Sequence, residues 1–387
     1  MSFIKIINLP IIAMLGLVQL TSAQEAFHNF GDIQIHDTGK IGFHTDLIND
    51  GVFNSNLGLA GFYGEDQLTV SGTSIAEFYN SEIDILDGLN LKTSMGVYNT
   101  LDFINGKVFT PRTDLDISLD FLQANYNGES DFEHVDGYAA LFGDIDFTFP
   151  IGDEDKLRPL SISKPSSIST FKSAYFYEDP NSPTIFATLF DTNSFAPILS
   201  KVNDKEFWDL DGDQAVEVTL TWDLDSDIKN LTDDIELLRV VGWNNKTLRW
   251  DSLGRNDVSG DLEEGDITSI SFVPDDYEVL TIASEPSGND FTINTGFSPN
   301  GDGLNDHFEI TGLDLSQENS IEVYDRWGEL VYEKQNYDNT WGGISENSIT
   351  VDKGIVVPVG TYYFILKLKD KVTNKVKTYR GWVYINY

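Results

Sequence analysis

The chain has 387 residues, 40% of them hydrophobic, with 25 Phe, 16 Tyr and 7 Trp, so it holds enough apolar surface for two or three folded domains and is not globally disordered. Its formal net charge of −38 excludes nucleic acid as a partner, because phosphates would be repelled. It contains no cysteine, which excludes disulfides and cysteine-borne lipid anchors.

The chain opens on MSFIKIINLPIIAMLGLVQLTSAQ. Lys5 gives a short positive region, and residues 9–20 form an apolar run too short to span a bilayer as a helix. Small residues at Thr21 and Ala23 then suit a signal peptidase, so residues 1–23 are expected to be a signal peptide cleaved between Ala23 and Gln24. The alternative is an apolar first strand. No later stretch is long and apolar enough to cross a membrane as a helix, so an integral membrane protein is not expected.

Helical periodicity is nearly absent after that. Short runs rich in Val, Ile, Phe, Tyr and Thr recur between Gly, Asn and Asp, the pattern of an all-β protein. Over residues 24–164 the repetition is faint but regular: NDGVF (49–53) and NGKVF (105–109) bracket AEFYNSEIDI (76–85) and MGVYNTLDFI (95–104). Residues 31–110 divide into units of about 20, which predicts coils of a β-solenoid, each burying its apolar face on the next. An irregular β-sandwich is the alternative. Residues 137–163 read as two closing strands with a Gly-Asp turn, and Pro159 and Pro165 mark an exit linker.

Residues 165–287 read as a β-sandwich, with alternation in AVEVTLTW (215–222), IELLRVVGW (235–243) and ITSISFV (267–273). Val216, Val218, Leu220 and Trp222 share one predicted face. SEPSGND (284–290) is the next boundary. Residues 288–387 then carry 9 Lys/Arg against 14 Asp/Glu, a net of −5, while the rest of the chain holds −33. That contrast marks a separate C-terminal module, read as a small antiparallel β-sandwich.

The module is built from motifs in a fixed order: FSPNGDGLND (297–306), IEVYDRWGELVYE (321–333), YDNTWGG (337–343), VPVGTYYFILKL (357–368) and YRGWVYINY (379–387). Its marked residues are Asn300, Gly301, Asp302, Gly303, Asn305 and Asp306 in the opening loop; Tyr324, Asp325, Arg326, Trp327 and Gly328 in a hairpin; Trp341, Gly342 and Gly343; Gly360, Thr361, Tyr362 and Tyr363; and Gly381. Gly328 permits the turn, Tyr362, Phe364, Leu366 and Leu368 share one strand face, and Asp325 is placed to pair with Arg326 across the turn. This segment resembles the gliding motility-associated C-terminal domain, the type B sorting domain of the type IX secretion system. The resemblance covers about a quarter of the chain. It implies passage through the periplasm, recognition by the type IX translocon with an outer-membrane partner protein, and delivery to the cell surface or medium. Some proteins with such domains are long adhesins that serve gliding.

Catalytic motifs are missing: there is no G-x-S-x-G, H-E-x-x-H or P-loop. His28, His36 and His44 recur every eight residues, but without close carboxylate or His spacing they make a poor zinc site; His134 and His307 stand alone. The opening loop partly follows a calcium-loop template, with Asn300, Asp302, Asp306 and Glu309 as candidate ligands and Ser298 failing the first position. An ordinary turn is the competing assignment. WDLDGD (208–213) and WDLDSD (222–227) predict two solvated acidic turns, with calcium as the alternative. The sequence therefore predicts a secreted, non-enzymatic surface protein, an adhesin with a glycan or other adhesion ligand. A carbohydrate-active hydrolase with a solenoid site and a structural subunit of a surface assembly are the alternatives.

Overall fold

The computed structural model describes residues 26–286 and 292–387, except 312, 314, 316, 346–353 and 370–375. The signal peptide with its cleavage point at Ala23 and Gln24, and most of the last turn (369–376), lie outside the described residues. The chain divides into two compact units. The first runs up to Leu189 and takes in Lys205–Thr221 and Ile270–Leu280; the second comprises Phe190–Asp204, Trp222–Ser269 and Thr281–Tyr387.

The first unit is a β-solenoid. On one side, Lys40–Phe43, Leu59–Gly64, Ala76–Ile85, Met95–Asn105, Leu119–Phe121 and Ala139–Gly143 pair in parallel, each with the next. Partners along this sheet lie 19 to 24 residues apart, for example Lys40 with Leu59 and Met95 with Leu119. The other side stacks Ala26–Asn29, Asp46–Asn49, Leu68–Ser71, Leu89–Leu91, Val108–Phe109, Val135–Asp136 and Ile151–Asp153 in the same way. The predicted coils therefore continue past residue 110. They end where Ser169–Phe176 pairs antiparallel with Ala139–Gly143 and Phe207–Asp211 pairs antiparallel with Ser169–Phe176. A hairpin closes the other sheet, with Gly152 opposite Leu157.

Because side chains alternate along a strand, each coil sends every second residue inward. One inward row runs Phe78, Val97, Phe121, Leu141 through four successive strands, all fully buried. Phe43, Phe53, Phe62 and Phe78 fill the first coils, with the rings of Phe43 and Phe62 stacked at 5.0 Å. The turns between coils carry buried amides. Asn29 Nδ2 donates to Asn49 Oδ1 at 2.7 Å, and Asn49 Nδ2 donates to the Ser74 carbonyl at 3.0 Å. Buried polar groups need partners, so these side chains lock coil to coil. Asn49→Ala is expected to cost about 1–3 kcal/mol, because it removes the shorter of the two bonds made by the Asn29 amide and the donor to the Ser74 carbonyl. A denaturant midpoint unchanged from wild type would show that water replaces the side chain.

In the second unit, Leu238–Asn244 forms a hairpin with Arg249–Ser252, placing Trp243 against Trp250 at 5.6 Å. Leu238–Trp243 is buried on both faces, so the alternation expected for 235–243 does not hold; Ile235–Leu237 is instead a 3-10 turn capped by Asp234. The strand expected over 267–273 is Gly265–Thr268, paired with Asp257–Gly260. In the first unit, Val218–Thr221 with the following Trp222 does alternate as expected, with Val218, Leu220 and Trp222 buried.

The C-terminal module has one five-stranded sheet in the order Gly296–Phe297, Val376–Ile385, Gly360–Lys369, Asn319–Tyr324, Leu330–Gln335. The first pair is parallel and the other three are antiparallel. A short pair, Thr292–Ile293 with Ile310–Thr311, lies beside it. One face of the sheet is core: Phe297, Phe308, Val323, Trp341, Phe364, Leu366 and Val383 cluster there, all buried.

Candidate functional site

The residues marked in the C-terminal module fall into three structural roles. The opening loop is a self-bonded turn. The Asp306 carboxylate accepts the amides of Gly301 at 2.7 Å and Gly303 at 2.8 Å; Asn300 Oδ1 accepts the Asp302 amide and Asp302 Oδ1 the Leu304 amide. The Ser298 amide donates to the Asn305 carbonyl, which closes the loop. Of the candidate calcium ligands, Asn300, Asp302 and Asp306 thus turn side-chain oxygens onto the loop's own backbone. Among the described residues, no group of three or more His, Cys, Asp or Glu side chains is arranged to hold a metal ion. We expect the melting transition to be the same in calcium and in chelator; an increase of several degrees with calcium would assign a site here, since a ligand bound only to the folded state must stabilise it. The same two amides hold Asp306 below the usual carboxylate range. Its contribution to stability is therefore complete above the ordinary carboxylate pKa and is lost as pH falls through the lowered one.

The second role is the hairpin. Asp325 does not pair with Arg326 as expected. Its Oδ1 accepts the amides of Trp327 at 2.8 Å and Glu329 at 2.9 Å, which is the geometry an Asp takes at the head of a turn. Arg326 is left to lie over the Trp327 ring, 5.2 Å from its centroid. Gly328 adopts φ +85, the left-handed conformation the turn requires.

The third role is the sheet itself. Trp341 is core: it stacks on Tyr332 at 5.2 Å, and its indole N–H donates to the Ile344 carbonyl at 2.9 Å. Tyr362 is buried beside it, while Thr361 and Tyr363 point outward on the alternate phase. Gly381 sits opposite Phe364, and a Cβ there would fall 2.5 Å from the ring, so the position admits only glycine.

Away from the core, the same sheet presents aromatic side chains. Tyr324, Tyr363 and Trp382 are direct neighbours across three strands, and Ile365 lies opposite Arg380. Tyr363 is 55% exposed, Trp382 53% and Trp327 77%. Together with Arg326 they line a concavity of about 710 Å³. Exposed aromatic and Arg side chains in one patch are the composition of a protein-recognition surface. The motif YRGWVYINY contains Trp382 and Arg380, but alternation alone does not say which face of an edge hairpin is covered, so sequence reasoning singled out only Gly381.

The cargo candidates scatter. His28 Nε2 bonds Asp50 Oδ2 at 2.7 Å, His44 lies against Tyr63, and His134 is fully buried with its pKa lowered by burial. Asp223 caps the short helix Leu224–Ser226, as an acidic turn residue should. Asp209 departs from the expected solvated turn: it lies within strand Phe207–Asp211 and is 6% exposed.

Residues 291–385 match the family model of the CHU_C type IX secretion signal domain. No curated protein and no solved structure matches the chain. The signal domain means that the protein engages the type IX secretion machinery and is exported across the outer membrane to the cell surface or extracellular space. Among the described residues, no helix is long and apolar enough to cross a membrane.

Proposed function

We propose that the exported protein is a surface-binding adhesin whose solenoid holds a hydroxyl-rich glycan. The supporting observation is the outward face of the sheet that holds Ala76–Ile85, Met95–Asn105 and Asn125–Asn127, where polar residues repeat in rows from coil to coil. Glu82, Asp102 and Asn127 form one row, and Asn80, Thr100 and Asn125 another. Side chains on this face are tied from strand to strand: Asn127 Nδ2 donates to Asp102, Asn99 Nδ2 to Asn80, and Tyr63 Oη to Glu82 at 2.5 Å. These bonds fix donors and acceptors at the strand spacing of about 4.8 Å, a preorganised surface for a regular polymer. Tyr98, 44% exposed, adds an aromatic ring beside Glu77. A glycan array probed with the purified mature protein tests this, with Asp102→Ala and Tyr98→Ala expected to reduce any signal. Binding unaffected by both changes would remove the face from the proposal. A role in gliding would appear as lost motility in a deletion strain that still assembles its secretion machinery; unchanged gliding would confine the protein to adhesion.

A further inference from the structure

In the C-terminal module, every lysine among the described residues is paired. Lys334 meets Asp338 at 2.6 Å, Lys367 meets Glu322 and Lys369 meets Glu318 at 2.8 Å, and Lys377 meets Asp234 at 3.7 Å. The module's two arginines, Arg326 and Arg380, are both exposed, and among the described residues neither forms an ion pair. That distribution is the reverse of what stability would select, because the planar guanidinium is the better partner for a carboxylate. Nor are carboxylates scarce: the chain holds 63 Asp and Glu against 25 Lys and Arg.

Both arginines line the same concavity of about 710 Å³, beside the rings of Tyr324, Trp327, Tyr363 and Trp382. Arg380 lies two residues before Trp382 on strand Val376–Ile385, so the two side chains share its outer face. The Arg326 guanidinium rests 5.2 Å from the centroid of the Trp327 ring. Asp325 is the one acidic residue of the lining, and its Oδ1 is engaged by the Trp327 and Glu329 amides. Glu322, on the same outer face, is held by Lys367 and Tyr324. Two guanidiniums therefore face one carboxylate here, in a chain whose net charge is −38. A positive hollow in so acidic a protein is placed to select an anionic partner.

We propose that this concavity receives an acidic segment of the export machinery, whose Asp or Glu carboxylates pair with Arg326 and Arg380 while its apolar side chains cover Tyr363 and Trp382. The occupant is a protein for two reasons. The module is a secretion signal domain, which the machinery must engage. Trp, Tyr and Arg gathered in one hollow are also the residues that carry most of the binding energy between proteins. Charge sets the sign of the partner, since the arginines attract an acidic segment and repel a basic one. Exposed guanidiniums steer the encounter; docking then takes them out of water, where a two-pronged contact with a carboxylate is stronger. The paired lysines cannot serve in this way without first giving up Asp338, Glu322, Glu318 or Asp234.

The test follows the full-length protein in cells and is independent of any glycan bound on the solenoid face. Arg326→Glu with Arg380→Glu should lower surface display about tenfold or more. The purified double variant should melt as wild type does, since both side chains are exposed and unpaired. Arg326→Lys with Arg380→Lys keeps the charge without the planar fork and should retain more display than the reversal. Arg380→Lys also provides an amine that a water-soluble carbodiimide joins only to a carboxylate in contact with it. Cells expressing that variant and treated with the reagent should yield an adduct whose peptides link position 380 to an Asp or Glu of another protein. Should the charge reversal unfold the module, this crosslink decides alone. Wild-type display by the folded reversal variant, no adduct at position 380, or a link only to the protein's own chain would overturn the proposal. A link to a uronic acid would overturn it too, and would assign the face to an anionic glycan.

Discussion

A chain cut after residue 286 is expected to vanish from the cell surface and the medium and to accumulate in the periplasm. That cut removes the whole of the type IX secretion signal domain, which spans residues 291–385. That module has its own core, in which Phe297, Phe308, Trp341 and Phe364 bury their rings against one another. A folded recognition module gives a sharper test than truncation. Trp341→Ala removes the stack on Tyr332 and the ring contacts with Phe297 and Phe308, and should cost about 3–5 kcal/mol. Most of a small domain's stability would be lost, so surface display should fall with it while the solenoid unit stays folded. Trp382→Ala separates recognition from folding. Its ring is about half exposed on the sheet's open face, so display should drop without a change in melting. Cell fractionation with surface protease treatment measures all three. Normal display of the truncated chain would mean that the address lies elsewhere.

Much of this was legible in the sequence wherever a local pattern fixes the answer. The hairpin strands Asn319–Tyr324 and Leu330–Gln335, and the long pair Gly360–Lys369 and Val376–Ile385, follow from alternation and from the turn at Gly328. The solenoid was visible as a period of about 20 residues up to position 110, where the spacing is regular. It is hidden beyond that because the coils become unequal: Val108 pairs with Val135, and Val135 with Ile151. Contacts distant in sequence were not legible at all. Phe207–Asp211 joins the solenoid unit through pairing with Ser169–Phe176, and nothing near residue 207 announces it. Asp209 was misplaced for the same reason. Inside WDLDGD it reads as a turn residue, and only pairing with Ala174 and the reach of Tyr138 show it to be buried. Asp325 illustrates the converse: opposite charges adjacent in sequence suggested an ion pair, but the carboxylate accepts two amides of the turn.

Phe78→Ala is expected to be the most damaging single change in the solenoid. Phe78 is fully buried and meets Phe53 at 5.1 Å, Phe62 at 5.9 Å and Phe43 at 6.4 Å, so it joins three rings from the preceding coils. Truncation loses the transfer energy of the ring and leaves a cavity that the strands cannot close, because their spacing is held by the parallel ladder and the Asn locks at the turns. The cost should be about 3–5 kcal/mol, and the transition should fall by about 10 °C for a unit of this size. Phe78→Leu keeps most of the volume and should cost less than about half as much. In a solenoid each coil is stabilised by its neighbours, so the loss should spread: hydrogen exchange should speed up in Leu59–Gly64 and Met95–Asn105 as well as in the mutated strand. Exchange confined to Ala76–Ile85 would show instead that the coils open independently, and that the aromatic stack does not couple them.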